Sequence, residues 1–136
     1  MFDRVRAEHE RVAVLGRSLG SGVAVHLAAV RDVSKLALVT PYDSILRIAQ
    51  RRLPFVPVSW LLKDTFDSLA KAPRVRAPVL VVLAELDSSI PREHSERLVA
   101  AFTPGQVTVR MIAGADHNSI SESPEYGRAL ADFLLN

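Results

Sequence analysis

The chain reads as a single α/β domain, a mostly parallel sheet of about four strands with helices on both faces. Three observations carry this. Short runs that are apolar at nearly every position alternate with helix-length segments, the pattern of successive strand–helix units. The apolar runs show no two-residue alternation, as expected of strands covered by helices on both sides. The chain has 136 residues, 49% of them hydrophobic, enough for one core that buries about two thirds of the unfolded surface.

In chain order, Phe2 to Glu10 predicts a short helix and Val12 to Leu15 the first strand. The small-residue stretch Leu19 to Val30 predicts a helix, and Lys35 to Val39 the second strand. Val79 to Leu83 and Val107 to Ile112 supply the remaining two. Pro91 to Phe102 predicts an amphipathic helix with proline at its start, where the missing N–H costs nothing. Glu122 to Leu135 predicts another, with Ser121 as its N-cap. Leu98, Val99 and Phe102 in one, and Leu130, Phe133 and Leu134 in the other, recur at the spacing of a buried helix face. Between the second and third strands, about 41–78, lies a longer excursion with Pro54, Pro57 and Pro73 and many apolar residues. It reads as a cap-like insertion within the one domain, although each apolar residue there fits packing on the sheet equally well.

Composition narrows the function. With no cysteine, disulfides are excluded. Lys and Arg number 17 against 15 Asp and Glu, a net charge of +2 with the signs interspersed, which argues against a nucleic-acid partner. The N-terminus lacks the apolar segment of a signal peptide or membrane span, so a cytoplasmic location is the default expectation. The histidines are dispersed and no acidic cluster has ligand spacing, so neither a metal nor another cofactor is expected.

The most informative segment is Gly16-Arg17-Ser18-Leu19-Gly20, set between the first strand and the small-residue helix. A serine on such a turn is held in strained backbone, with glycines two residues either side leaving room for the strand and helix to approach. Its hydroxyl projects at a helix N-terminus, where backbone N–H groups, that of Leu19 among them, favour a nearby oxyanion. Asp87 follows the third strand and His117 the fourth. In a parallel sheet all strand C-termini share one edge, so Ser18, Asp87 and His117 can converge. The chain order Ser, Asp, His is that of the α/β-hydrolases.

On these residues, and on GRSLGSGVAVHLAA, TPYDSI and LLKDTFDS, the chain resembles the serine hydrolases of the α/β-hydrolase superfamily, its BEM46-like members most of all. The resemblance covers nearly all of the chain but only the C-terminal part of the family's domain, which makes this an incomplete α/β-hydrolase fold. It implies that Ser18 attacks an ester or related acyl carbonyl, that His117 shuttles the proton and that Asp87 orients His117. It places Arg17, Tyr42, Trp60 and Ile90 at the substrate pocket. It also implies that the loop giving a second oxyanion N–H precedes Val12 and is absent here. The first strand, residues 12–15, is then left with an open edge, where a second copy of the chain is expected to pair.

Other assignments compete. Asp43, just past the second strand, rivals Asp87 as the acid. Asp116 fits a turn or cap role, and His9, His26 and His94 structural or surface roles. Gly16, Gly20 and Gly22 also match the spacing of a dinucleotide-binding turn, but neither Tyr42 nor Tyr126 is followed four residues on by lysine, and no acidic residue ends the Lys35 to Val39 strand. A third reading keeps the hydrolase fold without catalysis, as a binding or assembly module.

Overall fold

The computed structural model describes residues 1–44 and 67–136. Helix α1 (Phe2–Glu8) precedes β1 (Ala13–Arg17), α2 (Leu19–Val30) and β2 (Lys35–Val39). A one-turn helix α3 (Ser68–Lys71) and a 3-10 turn (Ala72–Arg74) lead to β3 (Val79–Ala84), α4 (Arg92–Ala101), β4 (Val107–Ile112), a second 3-10 turn (Ser119–Glu122) and α5 (Pro124–Leu135). The four strands form one sheet in the order β1-β2-β3-β4, every adjacent pair parallel. All strand C-termini therefore lie on one edge.

Alternate residues of the buried strands feed two cores. Leu36, Leu38, Val79 and Val81 pack with Ala24, Val25, Ala28, Leu98 and Phe102 on the face covered by α2 and α4. Ala37, Val39, Leu80, Val82 and Ile112 pack on the opposite face, with Leu130, Phe133 and Leu134 of α5 against them. Each fully buried aliphatic side chain contributes about 1.5–3 kcal/mol, so the two cores, not the surface ion pairs, hold the sheet in place.

Element ends differ from expectation for local reasons. The first strand runs two residues past Leu15 because Gly16 and Arg17 continue the register against Leu38 and Val39. The last helix starts at Pro124, not Glu122: proline suits the first helical position, and Ser123 caps it by accepting from the Glu125 N–H at 3.2 Å. Residues 119–122 form a 3-10 turn instead. Likewise Pro91 is the N-cap of α4 and not its first residue. The helix expected over 2–10 ends at Glu8.

Of the 41–78 stretch, Ala72, Val75 and Ala77 are buried in the core beside α2 and β3. The Ser68 N–H donates to the Asp43 carbonyl at 2.9 Å, which brings the described arms 41–44 and 67–78 together. Trp60 and most of the stretch's other apolar residues fall outside the described residues.

Candidate active site

Ser18 has φ 49° and ψ −120°, a left-handed conformation that non-glycine residues seldom adopt. Holding it costs about 1–3 kcal/mol. The turn is pinned on both sides: the Ser18 N–H donates to the Val39 carbonyl of β2 at 2.9 Å, and the Ser18 carbonyl accepts from both the N–H and the hydroxyl of Ser21. Gly16 is required for space, because a Cβ there would lie 2.6 Å from both the Ala24 Cβ and the Gly20 carbonyl oxygen. Gly20 is not: a Cβ there meets nothing within 4 Å. Of the two glycines expected to make room, only the first does so.

The loops after β3 and β4 are tied to each other. The Glu85 carboxylate accepts from the Gly114 N–H at 2.7 Å, and the Leu86 N–H donates to the Ala115 carbonyl at 2.9 Å. This fastening sets His117 between the other two side chains. Its Nδ1 is 2.8 Å from Asp87 Oδ2 and its Nε2 is 3.0 Å from Ser18 Oγ. Asp87 is oriented in turn, since its Oδ1 accepts from the N–H groups of Ser89 and Ile90, each at 2.8 Å. All three side chains are largely buried but not sealed. With Asp87 accepting from Nδ1–H, the Nε2 lone pair faces the serine hydroxyl, the arrangement a general base needs.

Of the residues expected at the pocket, Arg17, Tyr42 and Ile90 fall among the described residues. Arg17 reaches across the edge and donates to the carbonyls of His117 at 2.8 Å and Asn118 at 3.3 Å, so it braces the histidine loop. Tyr42 is buried and its hydroxyl donates to the Leu19 carbonyl at 3.1 Å, steadying the first turn of α2. Ile90 is buried beside Asp87. Leu19 occupies the first position of α2, where a backbone N–H has no acceptor within the helix.

Asp43 serves another histidine. It is fully buried, its Oδ1 lies 2.7 Å from His94 Nδ1, and its Oδ2 accepts from Arg97 Nε at 2.9 Å. The cluster ties the residues after β2 to α4. It was legible only in part: His94 and Arg97, three apart, share a helix face, but nothing in the sequence pairs them with Asp43. Asp116 makes a turn, accepting from the N–H groups of Ser119 and Asn118, which hold its carboxyl below the usual carboxylate range. Among the described residues no three His, Asp or Glu side chains gather as metal ligands would, and no helix is long and apolar enough to cross a membrane.

Comparison with known proteins gives this geometry a context. The sequence model of the Dienelactone hydrolase family matches residues 3–132. An uncharacterised protein of Mycobacterium tuberculosis is 37% identical over 126 residues, 91% of this chain and 43% of that protein. The α/β-hydrolase domain-containing protein aho-3 of Caenorhabditis elegans is 30% identical over 125 residues, 92% of this chain and 36% of that protein. This chain thus spans less than half the length of these relatives. Among solved structures, the monoacylglycerol lipase of Paleococcus ferrophilus superposes with a TM-score of 0.70 at 21% identity, covering 98% of this chain and 72% of that one, a likeness of fold. The dinucleotide-binding alternative gives way to these matches.

Proposed function

The chain belongs to the dienelactone hydrolase family, within the α/β-hydrolase superfamily, and on that footing we propose that it is a serine hydrolase acting on a carboxylic ester or related acyl bond. The observation that carries this reading is the continuous line Asp87, His117, Ser18, with hydrogen-bond distances of 2.8 and 3.0 Å. Ser18 Oγ attacks the acyl carbon as His117 Nε2 takes its proton. The Leu19 N–H meets the oxyanion of the tetrahedral intermediate. Collapse breaks the bond to the leaving group, which takes the proton from His117 and departs as an alcohol or amine. Water then loses a proton to the same nitrogen and attacks the acyl-serine; collapse breaks the bond from the acyl carbon to Ser18 Oγ, which takes the proton back from His117 as the acid is released. Asp87 keeps the imidazole in the required tautomer throughout.

The test is treatment with a fluorophosphonate probe, read by intact mass and peptide mapping. A single adduct on Ser18, absent in Ser18→Ala, is expected. A folded chain that takes up no label would sink the reading.

The open side of β1 favours a second reading, in which the hydrolase fold serves as a binding or assembly module. β1 pairs only with β2 among the described residues. An assembly module keeps its partner in the Ser18→Ala variant, whereas the hydrolase loses turnover. We also propose that the partner at this edge is a second copy of the chain.

A further inference from the structure

In the proposed reaction the Leu19 N–H meets the oxyanion, and a donor serves an oxyanion only while it is aimed at the place where the charge develops. Two buried hydroxyls that the triad does not use act on the two peptide groups of this residue. Ser21 is fully buried, and its Oγ–H donates at 2.6 Å to the Ser18 carbonyl, which also accepts from the Ser21 N–H at 2.9 Å. Tyr42 is 2% exposed, and its hydroxyl donates at 3.1 Å to the Leu19 carbonyl.

The Ser18 carbonyl and the Leu19 N–H belong to one peptide group. Among the described residues no peptide bond is cis, and in a planar trans peptide the N–H points opposite to the C=O. Two donors on the Ser18 carbonyl therefore set the direction of the Leu19 N–H. They also polarise the peptide, which strengthens that N–H as a donor. The hold matters because Ser18, at φ 49°, sits in strained backbone that persists only where its surroundings enforce it. Tyr42 fixes the next peptide, so the planes on both sides of Leu19 are held. Tyr42 is anchored in turn on α4: the Pro41 carbonyl before it accepts from the Ser95 hydroxyl, and the Asp43 carboxylate after it lies 2.7 Å from His94 Nδ1 and accepts from Arg97 Nε at 2.9 Å.

We propose that Ser21 and Tyr42 are positioning residues of the oxyanion site. Together they fix the backbone on either side of Leu19 and so aim its N–H, and the buried Asp43 cluster secures Tyr42 from α4. The catalytic half of this inference rests on the proposed roles of Ser18 and Leu19; the rigidity of the Leu19 N–H does not.

Ser21→Ala and Tyr42→Phe remove the hydroxyls and little else. Alanine is a better helix former than serine, and phenylalanine fills the same ring volume, so both variants should keep the wild-type circular dichroism. Removing a whole oxyanion donor costs about a hundred- to a thousandfold in turnover, and losing one hydrogen bond that aims it costs less. In either variant kcat on a p-nitrophenyl ester should fall by about two- to tenfold with KM nearly unchanged. Labelling of Ser18 by the fluorophosphonate, whose phosphoryl oxygen takes the place of the oxyanion, should slow by the same factor. A purely structural role predicts a lower Tm at unchanged kcat. Independently of any substrate, the NMR order parameter of the Leu19 N–H should be about 0.85 in the wild type and lower in both variants. A variant that keeps the wild-type kcat and labelling rate, or the wild-type order parameter, overturns the role of its residue, and so does a rise in KM at constant kcat. Should wild-type Ser18 take no label, the order parameters still decide whether the two hydroxyls hold the peptide, and the failure belongs to the proposed function.

Discussion

Arg17, the residue before Ser18, is tied to the loop that carries His117, and on the proposed triad it would act on the base. Its guanidinium crosses from the Ser18 turn to two carbonyls of the histidine loop, so the hydrogen bond between His117 and Ser18 is framed by one cation anchored on the nucleophile's own strand. Replacement by methionine keeps the packing stem and removes the donors. A base displaced by about 1 Å costs on the order of a hundredfold. We expect Arg17→Met to slow Ser18 labelling and kcat by about ten- to a hundredfold with KM nearly unchanged, and Arg17→Lys to recover part of the loss. A rise in KM at constant kcat would return Arg17 to the substrate pocket. Asp116 braces the same loop by other means. Since its folded pKa is depressed by the Ser119 and Asn118 N–H groups, its contribution is full above the unfolded value of about 3.9 and is lost only as pH falls through the lower folded value. Amide shifts of Asn118 and Ser119, followed through an acid titration, should move with a midpoint below the value of about 3.9 for an unperturbed aspartate. A midpoint above that would contradict the turn.

The strand–turn–helix element β1-Ser18-α2 separates what a glycine motif says from what the fold requires. At Gly16 an added methyl would collide with α2 at Ala24 and Gly20, and overpacking of this kind costs about 1–3 kcal/mol. At Gly20 the same methyl enters open space on a helix, where alanine is favoured over glycine by about 0.5–1 kcal/mol. Urea melts should therefore show Gly16→Ala destabilised and Gly20→Ala neutral or stabilised. Equal losses at both positions would mean that the turn needs both glycines. This difference marks how much could be read beforehand. The strands and helices were legible because they follow from runs of apolar residues, and the convergence of Ser18, Asp87 and His117 followed from parallel topology alone. The long-range polar contacts were not. Arg17 to His117, Asp43 to His94 and Tyr42 to Leu19 depend on which side chains the packing brings within 3 Å or so, and no local pattern encodes that. Ser121 lost its expected capping role to Ser123 for a local reason, the proline that follows the latter.

The sheet as assembled has two unlike margins. On β1, Gly16 is buried against α2, whereas Ala13 and Leu15 turn to the opposite face and are exposed, Leu15 at 46%. Because the Ser18 N–H is directed at β2, the alternation of a strand turns the N–H and C=O groups of Leu15 and Ala13 to the open side. An apolar strand with free backbone groups is a template for pairing, and a lysine placed on such an edge opposes it. Pairing of two β1 strands, each serving the other, would make one continuous eight-stranded sheet and bring two Ser18 turns near a common seam. Light scattering at micromolar concentration should then give twice the chain mass for the wild type and the single mass for Leu15→Lys, with the two sharing the same circular dichroism. If the wild type is a well-folded monomer, the edge does not need a second copy. If Leu15→Lys still dimerises, the copies meet elsewhere, and the labelling rate of Ser18 should be indifferent to concentration; association through β1, the strand that leads into Ser18, predicts a labelling rate that rises as the dimer forms.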